Sequence, residues 1–182
     1  MPPHRIDESR AFVAVRIAVL TVSDTRDAAN DTSGDTLAKR IVEAGHQLAA
    51  REIVRDDEAA IRRQLEAWIA DPGIDVVIST GGTGLTGRDV TVEAFKSVFE
   101  KEIDGFATVF HMISYETIGT STLQSRACAG VAHGTYLFAL PGSTGAVKDA
   151  WDGILKWQLD IRHRPCNFVE IMPRLEEHRK TT

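Results

Sequence analysis

The chain has 182 residues, enough for one domain with a substantial core and too few for two domains of ordinary size. Hydrophobic residues make up 43% and charged residues 26%, a balance typical of globular proteins that excludes extensive disorder. A net charge of −5 gives no positive field for nucleic acid or an anionic membrane surface. Because the apolar runs are too short for a membrane span and the polar start does not fit a signal peptide, we expect a cytoplasmic protein.

Dense runs of aliphatic and β-branched residues predict strands at 16–22, 52–54, 75–80 and 136–140. Apolar residues at helical spacing predict helices between and after these strands. They form five groups: Leu37, Ile41 and Val42; Ile61, Leu65, Trp68 and Ile69; Val92, Phe95, Val98 and Phe99; Phe106, Val109, Phe110 and Ile113; Val147, Trp151, Ile154 and Leu155. Strands and helices therefore alternate, which predicts an α/β fold with a mainly parallel sheet covered by helices on both faces.

Polar or glycine-rich segments follow each of the four predicted strands. They are Ser23-Asp24, Asp56-Asp57, Gly81-Gly82-Thr83-Gly84 and Pro141-Gly142-Ser143. In open α/β sheets, ligands bind outside the carboxyl ends of the strands. We therefore expect a ligand site at the edge of the sheet where these segments meet.

The segment from Gly81 to Gly84 has two interpretations. Closely spaced glycines let the backbone approach a ligand and direct its N–H groups at phosphate, but tight turns also use glycine constantly. Residues 82–87 also match G-x-G-x-x-G, which raises the alternative of a dinucleotide-binding oxidoreductase. That alternative is less favoured, because polar residues and not a helix start follow the glycines.

Asp57 and Asp89 each stand at a predicted junction between a strand or loop and a helix, on the ligand side of the sheet. Carboxylates beside a phosphate loop commonly hold Mg²⁺, which takes one or two protein oxygens together with phosphate oxygens. Either aspartate also suits a helix cap. The spacing alone leaves both roles open.

Six segments, taken together and in order, resemble the molybdopterin-binding family of molybdenum cofactor biosynthesis, most closely its MoaB branch. The segments are Thr21-Val22-Ser23-Asp24, Asp31-Thr32-Ser33-Gly34, Ser79 to Gly84, Arg88-Asp89-Val90-Thr91, Gly119 to Ala127 and Leu140-Pro141-Gly142-Ser143. The likeness covers about residues 14–172, which we take as one domain. Residues 1–13 and 173–182 are then expected to be flexible or subunit-contacting ends.

The resemblance implies a three-layer α/β/α domain that forms a homo-oligomer, either a trimer or a hexamer. It implies Mg²⁺- and ATP-dependent adenylylation of molybdopterin with release of pyrophosphate, and a molybdenum-insertion enzyme as a further candidate partner. Asp57 and Asp89 match the family positions tied to Mg²⁺ and catalysis, and Gly81, Gly82, Thr83 and Gly84 would hold phosphates. The molybdopterin contacts would come from Ser23, Asp24, Ser125, Gly142 and Ser143. The alternative within the same family is a non-catalytic molybdopterin-binding or scaffold protein.

Overall fold

The computed structural model describes residues 4–179, and these form one main sheet and one two-stranded sheet. The strands are β1 (Arg5–Ile6), β2 (Arg16–Val22), β3 (Gln47–Val54), β4 (Val76–Thr80), β5 (Lys101–Glu102), β6 (Cys128–Ala132), β7 (Thr135–Leu140) and β8 (His163–Arg164). The main sheet has the order β3-β2-β4-β7-β6-β5. Strands β3, β2, β4 and β7 are parallel, whereas β6 is antiparallel to both of its neighbours.

Helices connect the strands and cover the sheet on both faces. They are α1 (Thr32–Glu43), α2 (Glu58–Ile69), α3 (Thr91–Val98), α4 (Asp104–Ile118), α5 (Thr144–Ala150), α6 (Lys156–Gln158) and α7 (Phe168–Ile171). A 3₁₀ turn (Gly119–Gln124) extends α4, and a π-helical turn (Trp151–Leu155) joins α5 to α6. This arrangement confirms the predicted α/β/α fold and its mainly parallel sheet.

The core consists of two layers because the buried strands present apolar side chains alternately to the two faces of the sheet. On β2, Ile17 and Val19 pack on one face with the apolar residues of α1, α4 and α5. Ala18 and Leu20 pack on the other face with those of α2 and α3. Burial on both faces explains why β2 and β4 are almost continuously apolar in sequence.

The structure also corrects three details of the sequence prediction. Strand β6 was not predicted, because it is built from small residues; a side chain at Gly130 would overlap the ring of Phe99, which packs on it. Strand β3 begins at Gln47, well before the predicted 52–54. Val42 was grouped with Leu37 and Ile41 on one helical face, but it is 58% exposed because it lies one residue beyond the buried Ile41 near the end of α1.

The segments outside 14–172 lie against the domain where the structure describes them. Strand β1 pairs with β8, and Asp7 accepts a hydrogen bond from Arg164 at 2.9 Å. Near the other end, Arg179 forms ion pairs with Glu100 and Glu176. The predictions made for residues 1–3 and 180–182 fall outside the described residues.

Candidate functional site

The carboxyl ends of the four parallel strands bring the predicted segments together at one edge of the sheet. The backbone N–H of Gly81 donates to the carbonyl oxygen of Leu140 at 3.0 Å, which joins the ends of β4 and β7. The backbone N–H of Ser23 donates to the carbonyl oxygen of Val54 at 2.9 Å, which joins the ends of β2 and β3. Sequence-distant loops thus form one continuous surface.

The loop after β4 requires glycine at its first two positions. Gly81 and Gly82 have φ angles of +103° and +66°, in the region that side chains disfavour. A Cβ at Gly81 would overlap the carbonyl oxygen of Val22, and a Cβ at Gly82 would overlap the side chains of Thr91 and Asp56. The glycines therefore let the loop lie directly against its neighbours, while Thr83 is buried beneath it.

Arg126, to which the sequence analysis assigned no role, fastens this loop from the side. Its Nε donates to the carbonyl oxygens of Thr83 at 3.1 Å and Gly84 at 3.0 Å. Its Nη2 donates to the carbonyl oxygen of Asp89 at 3.1 Å, and its guanidinium also pairs with Glu93. One planar cation thus fixes both ends of the segment from Thr83 to Asp89.

Three carboxylates lie near one another beside the glycine loop: Asp24, Asp56 and Asp89. Asp56 is half-buried, and its Oδ1 is fully enclosed without a hydrogen-bond partner among the described residues. Burial raises the pKa of Asp56, and the negative charges of Asp24 and Asp89 raise it further. A buried and unsatisfied carboxylate oxygen costs free energy, and such sites are commonly functional.

Asp89 is held in the ionised form by its own loop. Its Oδ2 accepts from the backbone N–H of Thr86 at 2.9 Å and from the hydroxyl of Thr86 at 2.6 Å. The hydroxyl bond is the main cause of a lowered pKa at Asp89. The cluster therefore combines a carboxylate with a raised pKa and one with a lowered pKa.

Asp57 lies next to this cluster but has a different local role. It is exposed and forms the N-cap of α2, where its Oδ1 accepts from the backbone N–H of Ala60 at 2.7 Å. The chain bends at Asp56, where the backbone N–H of Asp57 donates to the carbonyl oxygen of Arg55 at 2.7 Å, and it is Asp56 whose Oδ1 lies against Gly82 of the glycine loop. From the sequence we predicted Asp57, and not its neighbour Asp56, as a site residue.

Two arginines, Arg88 and Arg26, connect the remaining loops of the site to one another. Arg88 forms an ion pair with Asp24. Arg26 donates from Nη2 to the carbonyl oxygen of Gly142 at 2.8 Å, and its backbone N–H donates to Ser23 Oγ at 3.1 Å. The predicted residues Ser23 and Gly142 are therefore linked through one residue, Arg26, which uses its backbone for the first and its side chain for the second.

Ser125 and Ser143 line a groove of about 220 Å³ between the end of α4 and the start of α5. Ser143 Oγ accepts from the backbone N–H of Ala146 at 3.0 Å, which caps α5. The groove adjoins the glycine loop, because Gly142 lies against Gly81 and the backbone N–H of Arg126 donates to the carbonyl oxygen of Thr83. The structure thus places both predicted serines beside the predicted phosphate loop.

The loop geometry does not fit the dinucleotide fingerprint. In that fingerprint a helix begins within the glycines, so that its N-terminus meets the pyrophosphate. Here the next helix, α3, begins only at Thr91. The G-x-G-x-x-G match at residues 82–87 therefore lacks the structural context that would support a dinucleotide-binding enzyme.

Comparison with known proteins identifies the family. A family model described as "Probable molybdopterin binding domain" matches residues 18–161. The chain belongs to this family. It is 52% identical over 160 residues to molybdenum cofactor biosynthesis protein B of Escherichia coli K12, covering 88% of this chain and 94% of that protein.

Further relatives agree with this assignment. Molybdenum cofactor biosynthesis protein B of Bacillus subtilis 168 is 46% identical over 142 residues, covering 78% of this chain and 84% of that protein. A crystal structure of a molybdenum cofactor biosynthesis protein B superposes with a TM-score of 0.83 at 38% identity, covering 92% and 99% of the two chains. The chain is thus a member of the molybdenum cofactor biosynthesis protein family. Among residues 4–179, no helix has the length and apolarity needed to cross a membrane.

Proposed function

We propose that this protein binds molybdopterin and, with Mg²⁺ and ATP, transfers AMP to the terminal phosphate of molybdopterin. The observation that carries the proposal is the unsatisfied buried oxygen of Asp56, which lies against Gly82 of the glycine loop and near Asp24 and Asp89. Clustered carboxylates next to a close-approach backbone loop suit a reaction between two phosphate-bearing anions. Membership of the molybdenum cofactor biosynthesis family supports molybdopterin as the acceptor.

The residues present are of the type that Mg²⁺ prefers. Mg²⁺ is usually bound by one or two carboxylates, with water and substrate phosphates completing the octahedron. No three His, Cys, Asp or Glu side chains among residues 4–179 form a complete metal-binding set. Asp57 and Asp89 would hold the ion together with substrate phosphates, and the cap interaction of Asp57 uses only its Oδ1. When bound, Mg²⁺ would neutralise phosphate charge.

The proposed reaction needs no protein nucleophile. A terminal phosphate oxygen of molybdopterin attacks the α-phosphorus of ATP, the bond from that phosphorus to the β-bridging oxygen breaks, and pyrophosphate leaves. Gly81 to Gly84 would hold the phosphates through their backbone, and Arg126 keeps that loop in place. Ser23, Asp24, Ser125, Gly142 and Ser143 would contact the molybdopterin, so that the two phosphates meet in line.

A homo-oligomer, either a trimer or a hexamer, is part of the proposal. Helix α4 exposes an apolar face at Val109, Met112, Tyr115 and Ile118, each more than 40% exposed. Such a face commonly marks a protein contact. We expect Met112→Lys to lower the molar mass measured by light scattering, while a mass unchanged from the wild type would argue against this face.

The carboxylate roles can be tested by turnover of molybdopterin with Mg²⁺ and ATP, measured as pyrophosphate release. We expect Asp89→Asn to lower kcat at least about 100-fold, because a group that acts on developing charge is lost. Asp57→Asn keeps the helix cap, since asparagine caps as well as aspartate, so a loss of turnover there reports on charge alone. Asp152→Asn, which removes a carboxylate paired with Arg40, is the matched control.

The outcomes separate the two functions considered. Loss of turnover in Asp89→Asn with retained molybdopterin binding supports the transferase. Unchanged turnover in Asp89→Asn would remove that residue from the mechanism. Molybdopterin binding by the wild type without turnover, unaffected by withdrawal of Mg²⁺, would instead support the non-catalytic binding or scaffold protein.

A further inference from the structure

Asp149 is an acidic side chain in the groove that also contains Ser125 and Ser143. The other walls of this groove include the apolar side chains of Phe110, Ile118 and Pro141. An apolar groove with a few polar groups suits a flat heterocycle, whose faces pack against carbon and whose edge requires hydrogen-bond partners. Asp149 is the one carboxylate among the groove residues.

The surroundings of Asp149 leave it incompletely satisfied. It is half-buried, and Thr117 Oγ1 donates to its Oδ2 at 3.3 Å, which is long for a hydrogen bond between oxygens. No ion pair among residues 4–179 includes Asp149. Burial raises its pKa, the hydrogen bond from Thr117 opposes this, and the charge of Asp152 adds to the rise. Lys148 also lines the groove but forms no ion pair with Asp149, and a half-buried carboxylate outside any ion pair is stabilised by a ligand that brings hydrogen-bond donors.

The pterin ring carries two such donors side by side. Along one edge, N3–H and the 2-amino group both point outward, and both are donors. A carboxylate accepts two parallel N–H bonds in the same fork geometry that it uses with arginine. The groove therefore provides the acceptor pair that this edge of a pterin requires.

We propose that Asp149 accepts hydrogen bonds from N3–H and the 2-amino group of the substrate's pterin ring, and so selects a 2-aminopterin. This inference rests on the proposed function, because it takes the groove as the place where the pterin of the substrate lies. It adds a specificity-determining residue to that site. Asp149 has no part in the phosphate chemistry.

The test compares two probes that differ in the group at position 2 of the ring and, with it, in the hydrogen on the neighbouring N1. One is 6-hydroxymethylpterin phosphate, and the other is the matching lumazine, in which a carbonyl oxygen replaces the 2-amino group. Dissociation constants are measured by calorimetric titration of the full-length protein. We expect the wild type to bind the pterin about 10- to 100-fold more tightly, because the lumazine oxygen would face the carboxylate.

In Asp149→Asn, the carboxamide oxygen accepts from N3–H and its NH₂ group donates to the lumazine oxygen. The preference for the pterin should therefore fall to about equal affinity or reverse, a change that a merely structural role would not produce. Asp152→Asn changes a neighbouring carboxylate that pairs with Arg40, and it should keep the full preference. Asp149→Ala should also lose the preference for the pterin, and it replaces the asparagine variant in the test if that variant does not fold. A melting curve checks that Asp149→Ala is folded.

Two results would overturn the role of Asp149 while leaving a phosphopterin site intact. One is equal binding of the two probes by the wild type, and the other is an undiminished preference in both Asp149 variants. Binding of neither probe by the wild type would refute the pterin function itself, and this inference with it.

Discussion

Replacement of Gly81 by alanine tests whether backbone geometry fixes the site. Alanine at a φ of +103° is strained by about 1–2 kcal/mol. Its Cβ would overlap the carbonyl oxygen of Val22, so the loop must move away from β2. That movement weakens the bond from Gly81 N–H to Leu140 and the bond from Thr91 Oγ1 to the Gly81 carbonyl oxygen. With about 0.5–1.5 kcal/mol for each bond, we expect a loss of about 2–5 kcal/mol.

The assay is urea unfolding followed by tryptophan fluorescence at a matched protein concentration. With a slope of about 2 kcal/mol per molar urea, the midpoint of Gly81→Ala should fall by about 1–2.5 M. Gly87→Ala is the control, because an added Cβ there meets nothing within 4 Å, and its stability should change by less than about 1 kcal/mol. Equal midpoints for Gly81→Ala and Gly87→Ala would refute the close-approach argument.

Three further predictions concern charged side chains. Asp56→Asn should raise the melting temperature at pH 7 by about 1–3 °C, because the raised pKa of Asp56 shows that its ionised carboxylate is disfavoured in the folded state. The same variant should lower turnover. An unchanged or lower melting temperature would contradict the stability argument. Arg126→Lys should lower kcat/KM about 10- to 100-fold, since lysine cannot span the carbonyl oxygens of Thr83 and Gly84, and wild-type kinetics would refute the fastening role. Burial raises the pKa of Asp75, but its hydrogen bonds with Arg16 outweigh this and lower it overall. The stability from the Asp75–Arg16 pair is therefore present above pH 3.8, the pKa of Asp75 in the unfolded chain, and is lost as the pH falls through its lower pKa in the folded protein. Asp75→Asn should therefore weaken the dependence of stability on pH in the acid range. An unchanged dependence would show that Asp75 does not contribute to it.

The elements with the clearest sequence patterns were predicted correctly. Strands β2 and β4 are buried on both faces, so their residues are apolar almost without interruption. The parallel arrangement then placed Ser23, Gly81 and Gly142 at one edge of the sheet, as the structure confirms. Strand β6 was missed because its small residues reflect packing against Phe99, a contact between elements that no local pattern records.

The composition of the carboxylate cluster was beyond local sequence reasoning. Whether Asp56 or Asp57 faces the loop depends on which residue caps α2, and both aspartates suit a cap. The role of Arg126 depends on a chain path that returns to Thr83 from a segment far along the sequence. No local pattern indicates this contact, because it joins residues 43 positions apart in the chain.

The most direct test of the account is a search for its product. The wild-type protein would be incubated with molybdopterin, ATP and Mg²⁺, and the mixture examined by mass spectrometry for adenylylated molybdopterin and by a coupled assay for pyrophosphate. We expect both products in equal amounts. Measurable molybdopterin binding without either product would contradict it.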